Sequence, residues 1–506
     1  MHSKKIINNS LISVLYKIIM LLLGFITRKI FITYLGSELL GLNSLYSNLL
    51  DLLNLADLGI GVAVQYQLYE PLVKNDKIKL SKILTASKKI YNTIGVTIII
   101  IGIILSFFIQ HLIKDTTYPI WFIQIAFLIS VMGIALGYFF VHKRLFLQAN
   151  EKIGLVNIID LSAKLITVVF SLISTVVFRN YFLYLTINAL YGLISNLIIN
   201  YIFNVKYCDV KSNVKNVRNE IKDLTANLKN VLPMKLSNYV YNSTDNVIIS
   251  KIIGLSTVAV YSNYMTIING IMGIEYLLGN VVSSSFGKMI QEIKDCNILY
   301  EKFSVFEFVQ FLFTNIATTL LCLVCSPFIK LWIGDSFLID KLSFFCLIVD
   351  FFVHSMYQPA YVMFSVTGKF KDDKYITLLS AIINIVISLI MVRFIGLSGV
   401  IIGTLITDIY IWIARTYQIV KKYFKQNILI YYLKKCKYVI GTSIAIIVSI
   451  LICKEICFNN LLLELVIKFA IALIVSLISS IIITHKDDEF KNTLNFFINY
   501  VKKGDN

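Results

Sequence analysis

Charge is scarce in this sequence. Asp, Glu, Lys and Arg make up 15% of 506 residues, where soluble domains carry about 25%. Proline occurs five times and glycine 23 times, which excludes collagen-like and linker-rich architectures. Eight cysteines in so long a chain do not make a disulfide scaffold. Cys322 and Cys325 have the C-x-x-C spacing of a metal site, but no second ligand pair stands near them, so they read as small packing residues. The G-x-x-x-x-G-K-[ST] phosphate loop, the G-x-S-x-G nucleophile elbow and the H-E-x-x-H zinc helix are all missing. No catalytic constellation, cofactor or metal site is expected, and any driving energy has to come from a gradient or from downstream consumption.

What the chain has in abundance is apolar surface. Hydrophobic residues account for 57% of it and the mean hydropathy is +0.77, more than a soluble fold of this size could cover with polar groups. A membrane-crossing helix uses about 20 residues. Apolar runs predict helices at about 10–33, 41–66, 89–110, 119–141, 155–177, 181–203, 232–254, 258–286, 304–329, 342–365, 376–393, 397–414, 438–453 and 461–484. The net charge of +18 would suggest nucleic acid in a soluble protein. Here nearly all loop Lys and Arg fall on one alternating set of loops, which is the positive-inside pattern and places both termini in the cytoplasm. No nucleic-acid partner is expected. The expected fold class is an all-α multi-pass membrane protein of about fourteen transmembrane helices. The first helix carries Lys17 and lacks a small-residue cleavage pattern, so it reads as retained rather than as a signal peptide.

A shift of 218 positions superimposes the chain on itself: Lys17 on Lys235, Gly36 on Gly254, Ser44 on Ser262, Tyr46 on Tyr264, Asp57 on Glu275 and Gly61 on Gly279. The pattern predicts a six-helix bundle over 1–205, a basic cytoplasmic linker over 206–227, a second six-helix bundle over 228–424, and two accessory helices with a cytoplasmic tail over 425–506. Six is even, so both halves enter from the same side, a parallel repeat about an axis along the membrane normal. Transporters of this design place substrate at the seam between their halves.

Charges within apolar helices are the candidate functional residues. Lys17 and Arg28 lie eleven residues apart on the first helix and share a face, about 16 Å apart along the axis. Lys235, Tyr239, Asn242 and Asn246 fall at i, i+4, i+7 and i+11 on the seventh helix, one polar stripe that faces either a water-filled cavity or another helix. Asp160 and Lys164 are spaced i, i+4 on the fifth helix, read either as a self-neutralising pair or with Lys164 in the lumen and Asp160 tuning it. Glu464 and Lys468 repeat that spacing and read as an ion pair. Asp350 and His354, again i, i+4, are candidates for carrying a coupling proton, against the alternative of a packing histidine. Asp51, Asp57 and Glu275 either pair with basic residues across the bundle or bind a coupling cation, and Asp408 has no assignment.

The runs Leu35-Gly36-Ser37-Glu38-Leu39-Leu40-Gly41-Leu42-Asn43-Ser44-Leu45-Tyr46, Leu55-Ala56-Asp57-Leu58-Gly59-Ile60-Gly61 and Leu68-Tyr69-Glu70-Pro71-Leu72 resemble the bacterial polysaccharide-type flippases of the multidrug/oligosaccharidyl-lipid/polysaccharide (MOP) exporter superfamily. The likeness covers essentially the whole chain. It implies two six-helix bundles in a MATE/MurJ-like V shape plus two extra C-terminal helices, in the bacterial cytoplasmic membrane. It implies alternating-access translocation of an undecaprenyl-diphosphate-linked oligosaccharide repeat unit, for capsule, O-antigen or a related surface polysaccharide. Membrane lipids and the polymerase and chain-length machinery of such a pathway are the implied partners. Relatives have cationic lumens, and by analogy of location Lys17, Arg28, Lys164 and Lys235 are the candidate lining cations. Three other readings compete: a cation-coupled drug antiporter of the same superfamily, a membrane glycosyltransferase or polymerase, and a structural scaffold. Lys235 on a polar helix opposes the antiporter, while Asp57 and Glu275 favour it. The short outer loops oppose an enzyme, and the polar seventh helix opposes a scaffold.

Overall fold

A computed structural model describes residues 2–54, 57, 59–226, 236, 239, 243–293, 295–367, 370–454 and 460–494. Among them there are helices and no strands, the outcome for a chain whose backbone must satisfy its own polar groups in hydrocarbon. Eleven helices among the described residues are long and apolar enough to cross a membrane. The three expected spans not among the eleven are the second, the seventh and the tenth. The second is broken, the seventh lies largely outside the described residues, and the tenth is a 27-residue helix over Lys341–Thr367. The helices carry rows of exposed apolar side chains, such as Ile100, Ile101, Ile103, Ile104 and Phe107. That surface is stable only when lipid solvates it. The protein is a multi-pass membrane protein.

Contacts divide the chain into two compact units, Met1–Ala259 and Val260–Asn506. The first contains α1 (His2–Leu35), α2 (Ser37–Asn54), α3 (Ile60–Val73), α4 (Lys77–Phe108), α5 (Ile120–Phe139), α6 (His142–Ala149), α7 (Ile153–Val176), α8 (Tyr181–Lys206), α9 (Arg218–Thr225) and α10 (243–252). Local chemistry sets several boundaries. The Asp76 side chain accepts from Lys79 N to start α4, and Asn180 does the same for α8 through Leu183 N. A continuous helix was expected over 41–66, but α2 ends at Asn54 and α3 begins after Gly59. Gly59 sits at φ 82, a left-handed conformation that glycine adopts freely and that cannot continue a right-handed helix. The stretch read as linker is docked on this unit. Lys211 N donates to Ser81 Oγ at 3.0 Å and Val214 N to Thr85 Oγ1 at 3.1 Å. Val210, Val217 and Leu224 are buried in the unit's apolar core.

The second unit contains α11 (Leu255–Glu292, whose first turn belongs to the first unit), α12 (Cys296–Ile333), α13 (Lys341–Thr367), α14 (Phe370–Ile395), α15 (Leu397–Thr416), a π-helical turn over Tyr417–Tyr423, α16 (Ile428–Lys454) and α17 (Leu461–Thr484). The accessory helices α16 and α17 pack on α12. Buried Lys435 reaches Glu307 at 3.1 Å, and the Tyr431 hydroxyl donates to the same carboxylate at 2.6 Å. The Asn315 amide donates to Ser476 O, Ser479 Oγ and Ser480 Oγ at 3.0, 3.1 and 2.8 Å. Glu464 and Lys468 form the ion pair expected of them.

The repeat read from the sequence has counterparts inside each unit. Gly36 and Gly254 both take positive φ, 87 and 141, at the junctions α1–α2 and α10–α11. Tyr46 and Tyr264 are both buried. The Tyr46 hydroxyl donates to Ile123 O at 2.6 Å near the start of α5, and the Tyr264 hydroxyl accepts from Ile339 N at 3.3 Å just before α13. Their rings meet Phe127 and Phe344. Asp57 accepts from Tyr91 on α4 at 2.7 Å, and Glu275 from Gln310 on α12 at 2.7 Å.

Candidate functional site

In the first unit α7, which carries Lys164, packs against α1, which carries Lys17 and Arg28, and against α8. The Lys164 ammonium sits over the Tyr191 ring, 5.3 Å from its centroid. Tyr191 is hydrogen-bonded to Tyr16, the neighbour of Lys17 on α1. Arg28, higher on α1, interacts electrostatically with Tyr184, whose ring meets Phe31 at 4.8 Å. Tyr184 and Tyr191 are two turns apart on one face of α8, about 10 Å along its axis. Lys17 is exposed on the unit and Arg28 is half-buried.

One turn further along α8, Ser195 and Asn196 meet an arginine from a segment that the hydropathy pattern assigns to a loop. Arg144 of α6 grips Asp160 with two hydrogen bonds of 2.7 and 2.8 Å and donates to Ser195 Oγ at 2.7 Å and Asn196 Oδ1 at 2.8 Å. Ser195 also donates to Asp160. The self-neutralising pair Asp160–Lys164 does not form. A planar guanidinium meets both carboxylate oxygens at once, which an ammonium cannot do. Among the described residues Lys164 therefore has no carboxylate partner. The only sequence signal for Arg144 was a basic residue close to an apolar helix.

The polar stripe of the seventh helix meets another helix. Tyr239 donates to Asn48 O at 3.0 Å, Asn246 Nδ2 donates to Asn48 Oδ1 at 3.2 Å, and Asn48 Nδ2 donates to Ser243 O at 2.9 Å. Asn48 on α2 was not singled out from the sequence. Lys235 and Asn242 lie outside the described residues.

In the second unit the expected partner of His354 is replaced by a different carboxylate. His354 Nδ1 lies 3.0 Å from Asp408 Oδ2 on α15 and 2.7 Å from the Tyr357 hydroxyl. Its Nε2 faces the Tyr276 hydroxyl at 3.4 Å and Gln358 Nε2 at 3.3 Å. Asp350 shares a helix with His354 without being this partner. Glu275 accepts from Gln310 at 2.7 Å and Ser355 at 3.0 Å, and it interacts electrostatically with His354. Arg415 donates to Asp373 at 2.9 Å and stacks on Tyr357 and Tyr361. His354, Glu275, Asp408, Arg415 and Asp373 are all buried. The same unit holds an apolar cavity of about 350 Å³ between α12, α13 and α16, with Cys322, Phe345, Ile348 and Ile447 on its walls. Among the described residues no cluster of His, Cys, Asp and Glu could hold a metal ion.

The comparisons agree with this architecture. The chain is similar over 94% of its length to 98% of a structure of the lipid II flippase MurJ in an inward closed conformation, at 14% identity and a TM-score of 0.70. It is similar over 78% of its length to 92% of an inward-facing multidrug resistance MATE family transporter of the MOP superfamily, at 17% identity and a TM-score of 0.62. A third likeness, to a mutant of the Vibrio cholerae MATE transporter VcmN, has 12% identity, 83% and 98% coverage and a TM-score of 0.55. At these identities the likeness shows the fold. No curated protein sequence matches. Residues 6–282 match the sequence profile of the family described as "Polysaccharide biosynthesis protein". That match spans more than half of the chain, so the protein, with the helical fold of the MOP exporters, belongs to the polysaccharide biosynthesis protein family.

Proposed function

We propose that the protein is a flippase that carries an undecaprenyl-diphosphate-linked oligosaccharide repeat unit across the bacterial cytoplasmic membrane, for capsule, O-antigen or a related polysaccharide. The observation that carries this reading is the cation–aromatic column of α1, α7 and α8, above all the Lys164 ammonium left over when Arg144 engages Asp160. A diphosphate brings about two negative charges, and moving charge through hydrocarbon costs many kcal/mol. Lys17, Lys164 and Arg28 offer positive charge at successive depths, with Lys235 as their repeat-related candidate. Tyr16, Tyr184 and Tyr191 offer faces and hydroxyls suited to sugars. The apolar cavity of the second unit gives an isoprenoid segment a hydrocarbon-like wall. Access alternates between the two membrane faces. Both termini are cytoplasmic, and the polymerase and chain-length machinery of the pathway receive the product.

The direct test is translocation of a labelled prenyl-diphosphate saccharide in proteoliposomes containing the purified protein. In cells, a deletion strain accumulates lipid-linked repeat unit on the inner leaflet. Equal labelling of the two leaflets in protein-containing and empty vesicles refutes the reading.

The buried carboxylates Glu275 and Asp408 favour a second reading, a cation-coupled drug antiporter. It requires drug resistance on overexpression and no effect of the protein on lipid-linked sugars.

A further inference from the structure

We propose that a polar cavity at one end of the first unit is a saccharide-binding site, which holds one or two sugar rings of the lipid-linked substrate as they emerge from the membrane. The cavity measures about 420 Å³, within the range of about 300–1,000 Å³ typical of small-molecule sites. Its walls are the start of α2, the loop between α4 and α5, and the α10–α11 junction with the first turn of α11. None of its residues belongs to the cation–aromatic column of α1, α7 and α8.

The sequence builds this cavity from two glycine turns and a stapled loop. Gly36 and Gly254, at φ 87 and 141, turn the chain at the two helix junctions. Gly41 lets α2 lie directly against the second junction, because a Cβ there would collide with Leu255 O. The α4–α5 loop is fastened to both. Thr116 Oγ1, Thr117 N and Thr117 Oγ1 donate to the Glu38 carboxylate at 2.7, 2.9 and 2.7 Å. Lys114 N donates to Ser250 O at 3.0 Å, and Ser250 Oγ donates to Leu112 O at 2.8 Å. Walls tied together before a ligand arrives lose little conformational freedom when it binds.

The lining selects a neutral, hydroxyl-rich occupant. Lys114 brings donors, Asp115 and Glu38 bring acceptors, and the hydroxyls of Ser256 and Thr257 can do either. Lys114 and Asp115 form no ion pair among the described residues. A sugar ring carries hydroxyls that donate to the two carboxylates and accept from the ammonium, so it satisfies every one of these groups. A phosphate would face two carboxylates against one ammonium, and its charge is opposed. A metal cation would face that ammonium, and both Glu38 oxygens already accept from threonines. No group of three His, Cys, Asp and Glu that could hold a metal occurs among the described residues.

With both termini cytoplasmic, as in the flippase reading, the α1–α2 junction, the α4–α5 loop and the start of α11 all lie at the outer face. The cavity is then placed to receive sugars on the side where they are released. That role in transport rests on the flippase reading; the capacity to bind a sugar does not.

The test has two arms. In the first, saturation-transfer NMR measures binding of methyl glycosides of a hexose and an N-acetylhexosamine, and of their disaccharides, to the full-length protein in nanodiscs. The expected result is transfer to at least one glycoside above that of empty nanodiscs, and its loss in Ser256→Trp and Thr257→Met, whose side chains fill the cavity. Lys114→Met, a change on an exposed loop, raises Kd about tenfold, the share of one charged hydrogen bond. No transfer above empty nanodiscs, or the same Kd in the wild type and all three variants, overturns the site. So does displacement of the bound glycoside by inorganic phosphate, which would mark an anion site.

In the second arm, translocation of a labelled prenyl-diphosphate saccharide is measured in proteoliposomes. Ser256→Trp and Lys114→Met are each expected to slow it about 3–10-fold while the protein stays monodisperse. Wild-type rates in both variants, with glycoside binding lost, overturn the role in transport and assign the cavity to soluble sugars. If the wild type moves no lipid-linked sugar at all, the flippase reading fails while glycoside binding still decides the saccharide site.

Discussion

Arg144 holds both carboxylate oxygens of Asp160, at 2.7 and 2.8 Å, so the acid one turn before Lys164 is engaged by a different helix. The consequence falls on Lys164. Its ammonium rests on the Tyr191 ring and, among the described residues, has no carboxylate partner; in the proposed function it meets an anion of the substrate. Lys164→Ala is expected to slow translocation by about 10–100-fold, the equivalent of losing one charged hydrogen bond of ~1.5–3 kcal/mol. Lys164→Arg retains more of the rate. Lys17→Ala and Lys235→Ala lower it as well. The check is the initial rate in proteoliposomes beside a detergent-extraction profile showing intact, monodisperse protein. Wild-type rates in all three alanine variants remove the cationic column from the mechanism.

The Arg144–Asp160 grip itself is expected to act on stability. Arg144→Ala leaves a buried carboxylate with Ser195 as its one remaining hydrogen-bond partner among the described residues, at a cost of about 3–5 kcal/mol. Arg144→Met combined with Asp160→Leu removes both charges and restores most of the loss. Thermal unfolding in detergent separates the two, since an ordinary packing defect gives additive losses instead.

Much of this architecture is legible in the sequence, because the membrane enforces simple rules. Apolar runs and alternating basic loops are properties of continuous segments, so helices such as Tyr181–Lys206 and Leu461–Thr484 fall where the hydropathy puts them. Of the positions paired by the shift of 218, Gly36 and Gly254 both take a positive φ, and Tyr46 and Tyr264 are both buried. Partner choice is less legible. Spacing of i, i+4 pointed Asp160 to Lys164 and Asp350 to His354, but a helical neighbour is only one competitor for a buried charge. Arg144 and Asp408 come from other helices and win through better geometry. Only tertiary packing reveals such partners, and the same holds for Asn48, which receives Tyr239 and Asn246.

His142 makes stability depend on pH. It opens α6, outside the membrane-spanning helices, is 3% exposed, and neither ring nitrogen has a hydrogen-bond partner among the described residues. Burial, and then the nearby Lys143 and Lys88 charges, push its pKa down to about 3. The folded protein thus keeps the ring neutral, while the unfolded chain protonates it near pH 6.5. Stability from this group is whole above pH 6.5 and falls by about 1.4 kcal/mol per pH unit as the pH drops toward 3. His142→Gln abolishes that share of the slope. Unfolding midpoints measured from pH 7.5 down to pH 4 for the two proteins should diverge in slope; parallel curves would show that His142 does not titrate differently on folding.

The accessory helices offer the last test. Lys435 on α16 is buried between the Tyr431 and Tyr438 rings, 4.9 and 4.8 Å from their centroids, with its ammonium 3.1 Å from Glu307 on α12. The ammonium answers Glu307, the aromatic faces stabilise it further, and the Tyr431 hydroxyl completes the carboxylate. Lys435→Ala therefore strands Glu307 in a dry interior and is expected to cost about 3–5 kcal/mol, whereas Glu307→Leu with Lys435→Met comes close to wild type. Asn315→Leu removes the clasp on Ser476, Ser479 and Ser480 and weakens the attachment of α17 to α12 without touching the ion pair. Limited proteolysis between α16 and α17 in nanodiscs reports the result. Lys435→Ala and Asn315→Leu each speed cleavage, and the charge-free double variant does not. Equal cleavage in all of them would mean that α16 and α17 are held by apolar packing alone.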